Sequence, residues 1–289
     1  MTLSFIYEDK KLIDEAMDRY LVSTCQAEDK IIEVMRYAAL GGKRLRGILT
    51  IEFAKMLGLS EEEILPYALS VECVHAYSLV HDDLPCMDND VMRRGKPSCH
   101  VAFGEANAFL AGDALLTHAF SLLGECELSK NHPDRALKAM TLLAFYAGYR
   151  GMVGGQVLDL EAVNRTVTPE ELSVIQMMKT GALIKAATLL GCVGAGANEE
   201  IQSFAESYAS EFGLAFQIID DLLDFNGNYE ECEGNSYVKL HTAEKAKMDA
   251  YLCISRAGSP LYELDKRGYD TGAFAALLDF LITRMENKG

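Results

Sequence analysis

His81-Asp82-Asp83-Leu84-Pro85-Cys86-Met87-Asp88-Asn89-Asp90-Val91-Met92-Arg93-Arg94-Gly95 sets four carboxylates within nine residues and follows them with two arginines. Carboxylates this close repel one another, and a chain that keeps them together has a cation to neutralise them, here hard, oxygen-preferring Mg²⁺. A second run, Phe216-Gln217-Ile218-Ile219-Asp220-Asp221-Leu222-Leu223-Asp224, repeats the chemistry as DDxxD. On a helix Asp220 and Asp224 lie about 40° apart around the axis and Asp221 about a turn from Asp224, so the three share a face. Two such faces turned together hold a group of Mg²⁺ ions. The ligand that calls for several Mg²⁺ and arginines is a diphosphate.

Outward from these runs the periodicity is helical. Ile13, Met17, Tyr20 and Leu21 form one apolar stripe; Ile31, Val34, Met35 and Ala38 form the next, stopped by Gly41-Gly42. Ser60-Glu61-Glu62-Glu63 is a capping-box signal, and Pro66 is expected to restart a helix running to Asp83. On an unbroken helix Asp82 and Asp88 diverge, whereas Pro85, lacking an N–H, loosens the chain and lets Asp88 fold back. Helical patterning returns over residues 103–123 and 133–152, Thr168-Pro169-Glu170-Glu171 is a helix start, and Asn198 opens the helix carrying the second run. A polar loop spans residues 226–235. With no sustained strand alternation, no repeat and no low-complexity segment, residues 1–289 read as one all-α domain.

The hydrophobic share of 49% and charged share of 24% belong to an ordinary soluble globular chain. A net charge of −16 excludes a nucleic-acid partner. The same field repels a diphosphate, so metal ions and local cations must invert it at the site. Eight cysteines without a CxxC pair read as reduced thiols in a cytoplasmic protein. The N-terminal stretch has acidic residues where a signal peptide has a basic end. Gly181–Asn198 is apolar but interrupted by Lys185, which rules it out as a membrane span.

Gly41-Gly42-Lys43-Arg44-Leu45-Arg46-Gly47 joins a glycine hinge to three cations, with Lys43 and Arg46 spaced to share a helix face. A plain basic turn is the alternative. Lys179-Thr180-Gly181 is weaker alone, and His75, about two turns before Asp82, points to the same side or is simply a core histidine.

Together these stretches resemble the trans-isoprenyl diphosphate synthases, and within them the bacterial farnesyl diphosphate synthases. GGKRLRG at 41–47, HAYSLVHDDLPCMDND at 75–90, RRGKPSCH at 93–100, FGEANAFLAGDALL at 103–116, GGQVLDL at 154–160, KTG at 179–181 and FQIIDDLLD at 216–224 carry the likeness. It spans residues of about 30 to 225. The resemblance implies the isoprenoid synthase fold, a homodimeric bundle of about ten core helices around a central cavity. It implies condensation of dimethylallyl or geranyl diphosphate with isopentenyl diphosphate. Carried over, Asp82, Asp83, Asp88, Asp220, Asp221 and Asp224 hold Mg²⁺, three ions once the allylic diphosphate is bound. Gly42, Lys43, Arg46, His75 and Arg94 bind isopentenyl diphosphate, and Arg93, Lys179, Thr180 and Gln217 complete the allylic site. Asp82, Asp88, Arg93, Lys179 and Asp220 are the implied catalytic residues. Tyr77 and Ser78, standing five and four residues before Asp82, occupy the positions where the family sets product length, with Tyr77 as a floor that stops growth at C15.

Two departures stand out. The family's Gly-Lys-x-x-Gly-x-Asp run and a further lysine are absent from residues 225–238, where Glu230, Glu231 and Glu233 appear instead, and Gly47 replaces a proline. Each missing charge-assisted contact is worth roughly 1.5–3 kcal/mol. A geranylgeranyl diphosphate synthase and a non-catalytic regulatory homologue are therefore the alternatives. A terpene cyclase is not expected to carry GGKRLRG and a second DDxxD, and an HD-type phosphohydrolase needs further spaced histidines.

Overall fold

The computed structural model describes residues 4–163, 165–228 and 235–287. Helix α1 (Ser4–Tyr20) buries Ile13 and Met17, with Leu21 just beyond its end. Tyr20, placed on the same stripe by the sequence, is instead exposed, since it stands about 100° around the axis from Leu21. Helix α2 (Asp29–Ala39) ends before Gly41, Gly42 and Arg44, all three with positive φ, and α3 (Leu45–Met56) follows them.

Helix α4 (Glu61–Asp82) begins with the expected capping box, Ser60 and Glu63 satisfying each other's backbone N–H. Pro66 does not restart it. The helix is already wound from Glu61 and passes through Pro66, forgoing only the bond to the Glu62 carbonyl. Ile64, Leu69, Val71 and Val74 are fully buried, each contributing roughly 1.5–3 kcal/mol. At the other end the chain turns as expected: the Asp88 N–H donates to the Asp82 carbonyl at 2.9 Å, folding the acidic run back.

Strands β1 (Met92–Arg93) and β2 (Lys96–Pro97) form a two-residue antiparallel hairpin. Arg94 and Gly95 between them both have positive φ, the geometry of a tight hairpin turn. Helix α5 (Cys99–Phe103) is separated from α6 (Glu105–Glu125) by Gly104 at φ 84°. Helix α7 (Glu127–Asn131) leads to α8 (Pro133–Ala147) and α9 (Met152–Ala162). The continuous helix expected over 133–152 is broken between these two, where a Cβ on Gly151 would lie 1.9 Å from the Tyr146 carbonyl oxygen.

Helix α10 (Pro169–Gln176) has the Thr168–Glu171 capping box and runs into a π-helical turn, Met177–Gly181, before α11 (Ala182–Gly194). Asn198 caps α12 (Glu199–Asp224) through the Ile201 N–H at 2.9 Å. Helices α13 (Tyr237–Leu240), α14 (Ala243–Asp265) and α15 (Gly272–Glu286) complete the described chain. Helix α4 packs on α3, α6 and α11; α11 also lies on α3, α8 and α12; α12 pairs with α14 and α15. Glycine permits the close approach of α11 to α3, because a Cβ on Gly191 would stand 2.4 Å from the Thr50 carbonyl.

Candidate active site

The C-terminal half of α4, the outer face of α9 and the π turn enclose a cavity of about 370 Å³. Its wall includes Arg46, His75, Tyr77, Ser78, Asp82, Gln156, Val157, Leu160, Lys179 and Thr180. Tyr77 is buried, with its ring edge-on to His81 at 5.7 Å. The Ser78 hydroxyl is turned back to the His75 carbonyl at 3.0 Å. Val157 and Leu160 are exposed residues that line this space, which accounts for apolar side chains lacking cover.

Asp82, at the cavity edge, has its carboxyl pKa pushed up to about 6 by burial and by Asp88, against the pull of Lys179 and Arg93. Asp88 is raised for the same first reason and is likewise drawn down by Lys179. Asp83 is engaged by the hairpin. It is buried and accepts from Arg93 Nε at 2.9 Å and Nη2 at 2.5 Å, and Arg93 also reaches Asp90 at 2.8 Å. The hairpin divides the two arginines: Arg93, at the end of β1, bonds Asp83, whereas Arg94, in the left-handed turn, donates to the Gly41 carbonyl at 3.1 Å.

In the second run Asp221 is clamped. It accepts from the Tyr237 N–H at 2.7 Å, Gln217 Nε2 at 2.9 Å and Gln176 Nε2 at 3.1 Å, while burial raises its pKa. Asp220 is also raised by burial but is paired with Arg284 of α15 at 2.5 Å. Asp224 acts on Lys43, as Asp220 does. Thr180 Oγ1 donates to Gln217 Oε1 at 3.1 Å, so the π turn ties the second run to the cavity, while Lys179 faces the first.

The basic residues divide as well. Arg94 lies flat against Gly42, where a Cβ would come within 2.8 Å of its guanidinium carbon. The pKa of His75 is driven well below its ordinary value by burial and by Arg46, Arg94, Arg44 and Arg93. An uncharged imidazole among arginines marks a region short of negative charge. Glu72 compensates in part, accepting from Arg44 at 3.3 Å and from the Gly47 N–H at 2.9 Å, whereas Arg46 Nε makes no hydrogen bond among the described residues. Lys43 does not share a helix face with Arg46. It precedes α3, and its ammonium lies 5.6 Å from the Phe216 ring centroid, beside the second acidic run.

Four side chains here were given no role from sequence. Asp159 accepts from Lys179 Nζ at 2.7 Å; Gln156 and Gln176 contribute buried amide groups; Arg284 meets Asp220. The first two lie in or beside the GGQVLDL motif, which was a usable signal, but nothing local marks Gln176 or Arg284. Of the departing loop, Tyr229 to Gly234, including Glu230, Glu231 and Glu233, falls outside the described residues.

The donor set suits a hard cation: oxygen only, carboxylates raised by burial and mutual repulsion. Among the described residues no three acidic, histidine or cysteine side chains stand close enough to hold an ion alone, so oxygens of water or of a ligand would complete the coordination.

Comparison with known proteins agrees with this geometry. The polyprenyl synthetase family profile matches residues 28–237. Farnesyl diphosphate synthase of Escherichia coli is 40% identical over 286 residues, covering 95% of this chain and 96% of its own. Geranylgeranyl diphosphate synthase of Cyanophora paradoxa is 35% identical, covering 98% and 96%. The crystal structure of an FPP/GFPP synthase from Zymomonas mobilis superposes with a TM-score of 0.87 at 35% identity, covering 96% of this chain and 98% of that one. The chain belongs to the polyprenyl synthetase family and has its all-α isoprenoid synthase fold.

Proposed function

We propose that this short-chain trans-prenyltransferase condenses dimethylallyl or geranyl diphosphate with isopentenyl diphosphate and releases farnesyl diphosphate. The observation that carries the reading is the Lys179–Thr180 turn, which lines an apolar cavity, faces Asp82 and Asp88, and is bonded through Gln217 to Asp221. Asp82, Asp88, Asp220 and Asp224 hold Mg²⁺, three ions with the allylic diphosphate present. Asp83 and Asp221 contribute through Arg93 and through Gln217 and Tyr237. Bound Mg²⁺ supplies Lewis acidity that stabilises charge on the leaving diphosphate.

The chain's own residues supply the rest. Lys179 and Arg93 add positive charge where the allylic C–O bond breaks and negative charge grows. Tyr77, Met152 and Val157 keep water from the resulting carbocation. Gly42, Lys43, Arg46, His75 and Arg94 orient isopentenyl diphosphate, whose double bond attacks the cation; the released diphosphate then takes the departing proton. No side-chain nucleophile is needed. Tyr77 and Ser78 end the cavity and limit the product to C15.

Residues 1–289 form one domain, and the protein is a cytoplasmic homodimer. Phe109 and Leu110 on α6 and Leu137 and Phe145 on α8 are large exposed apolar side chains suited to a second copy. Among the described residues no helix is long and apolar enough to cross a membrane, and Cys25 and Cys86 are exposed free thiols, suited to a reducing compartment. A Mg²⁺-dependent assay with geranyl and isopentenyl diphosphates, resolving product length, tests the proposal. A C15 product supports it. A C20 product favours the geranylgeranyl reading and rejects the Tyr77 floor, and no product with diphosphate binding intact favours the regulatory homologue.

A further inference from the structure

Helix α9 grips Lys179 at both ends. A Cβ on Gly155 would stand 2.2 Å from the Lys179 backbone nitrogen, so the helix backbone lies directly on the π turn. One turn further along the same face, Asp159 accepts from the Lys179 ammonium at 2.7 Å. That ammonium has two competing attractions nearby, because Lys179 is the first cation acting on both Asp82 and Asp88. A lysine on a four-carbon stem, released from its partner, settles on the nearest uncompensated carboxylates.

We propose that Asp159 is a positioning residue: it parks the Lys179 ammonium on α9 and so leaves the Asp82 and Asp88 carboxylates open to the divalent cation. The inference rests on the reading of those two aspartates as metal ligands. Asp159 then does two things at once. It keeps a positive charge close enough to meet the diphosphate, and it keeps that charge from occupying the oxygens the cation requires. When the anion arrives, Lys179 exchanges one oxygen partner for another within reach of the same stem, with no change of backbone. The Asp159 charge also acts on Asp88 through space, in the opposite sense to Lys179. That through-space effect is the rival explanation for any loss of metal binding and must be separated from parking.

A double-mutant cycle separates them. The full-length protein without diphosphate is titrated with Mn²⁺, and the free ion is followed by its electron paramagnetic resonance signal. Asp159→Asn is expected to weaken Mn²⁺ binding by about tenfold, the lower end of what outer-shell partners of a metal site contribute. Asp159→Glu, which keeps a carboxylate acceptor, should retain most of the wild-type affinity. In a Lys179→Met background, Asp159→Asn should have no further effect, because no ammonium remains to be parked. An equal loss in both backgrounds shows that Asp159 acts only as a nearby charge and overturns the proposal, as does no loss in either. Asp82→Asn is the control for the underlying reading: if it leaves Mn²⁺ binding intact, the metal assignment fails, whereas loss in Asp82→Asn with none in Asp159→Asn rejects the parking role alone.

Discussion

Arg284, on the C-terminal helix, forms a 2.5 Å ion pair with Asp220, the first carboxylate of the second acidic run, and lies over the Phe216 ring at 5.3 Å. A cation from a remote helix thus neutralises one of the carboxylates that a metal would use.

Replacing Arg284 by Met leaves Asp220 with Lys43 as its nearby cation. Because both partners keep some exposure, the expected loss of metal-free stability is about 1 kcal/mol. Urea unfolding with and without Mg²⁺ and inorganic diphosphate checks this. The deficit should shrink when metal replaces the arginine, and a deficit unchanged by metal would show that Asp220 is not a ligand.

Asp9, buried between α1 and α3, has its carboxyl pKa pushed up to about 8 by burial and by Glu52, with Lys55 pulling the other way and Glu61 adding to the rise. A folded-state value above the ordinary one means that the native state holds its proton longer. The contribution to stability is complete below about pH 4 and declines until about pH 8, as the unfolded chain alone ionises. Asp9→Asn removes this dependence. The difference in unfolding free energy between variant and wild type should therefore move in the variant's favour between about pH 5 and about pH 8. A difference that is flat across that range would contradict it.

Gly155→Ala introduces a methyl group where 2.2 Å is available to the Lys179 nitrogen. Either α9 or the π turn must move, at roughly 1–3 kcal/mol. The expected result is a lower melting temperature together with reduced prenyl transfer. Retention of both would show that the turn adapts freely.

Tyr77→Ala removes an almost fully buried ring from the cavity wall. Chromatography of the extracted products should show C20 material accompanying or replacing C15. A product set identical to wild type would assign Tyr77 to the core rather than to chain length.

The parts of the fold that could be read from sequence are those with local causes. Ser60 and Thr168 each carry a glutamate three residues on, and both boxes form; Asn198 caps the helix that bears the second run; Pro85 ends α4 and brings Asp88 back to Asp82. The misreadings had nonlocal or positional causes. Pro66 looks like a start only if the cap at Ser60 is ignored, and the break before α9 depends on glycine backbone packed against Tyr146. Within the site, the composition of the two acidic runs was plain, but the partners of Asp83, Asp220 and Asp221 were not. Arg284 and Tyr237 reach their aspartates across large sequence separations, and Lys43 left its expected face because Arg44 adopts a left-handed conformation. A pairing made across the bundle leaves no period in the chain.

The π turn fixes a phase. Leu172 and Ile175 before it belong to an apolar cluster with Ala162 and Val167, while Leu183, Ile184 and Leu190 after it belong to the main core. One surplus residue in a helix offsets everything beyond it by about 100°. Both sets of side chains face their own neighbours only with that offset in place. Winding all of these residues as an even α-helix would set the two halves of the rod at odds, whereas deleting a single residue between Met177 and Gly181 would straighten the winding and keep both faces, so the surplus residue serves the placement of Lys179 and Thr180 in the turn rather than the packing on either side.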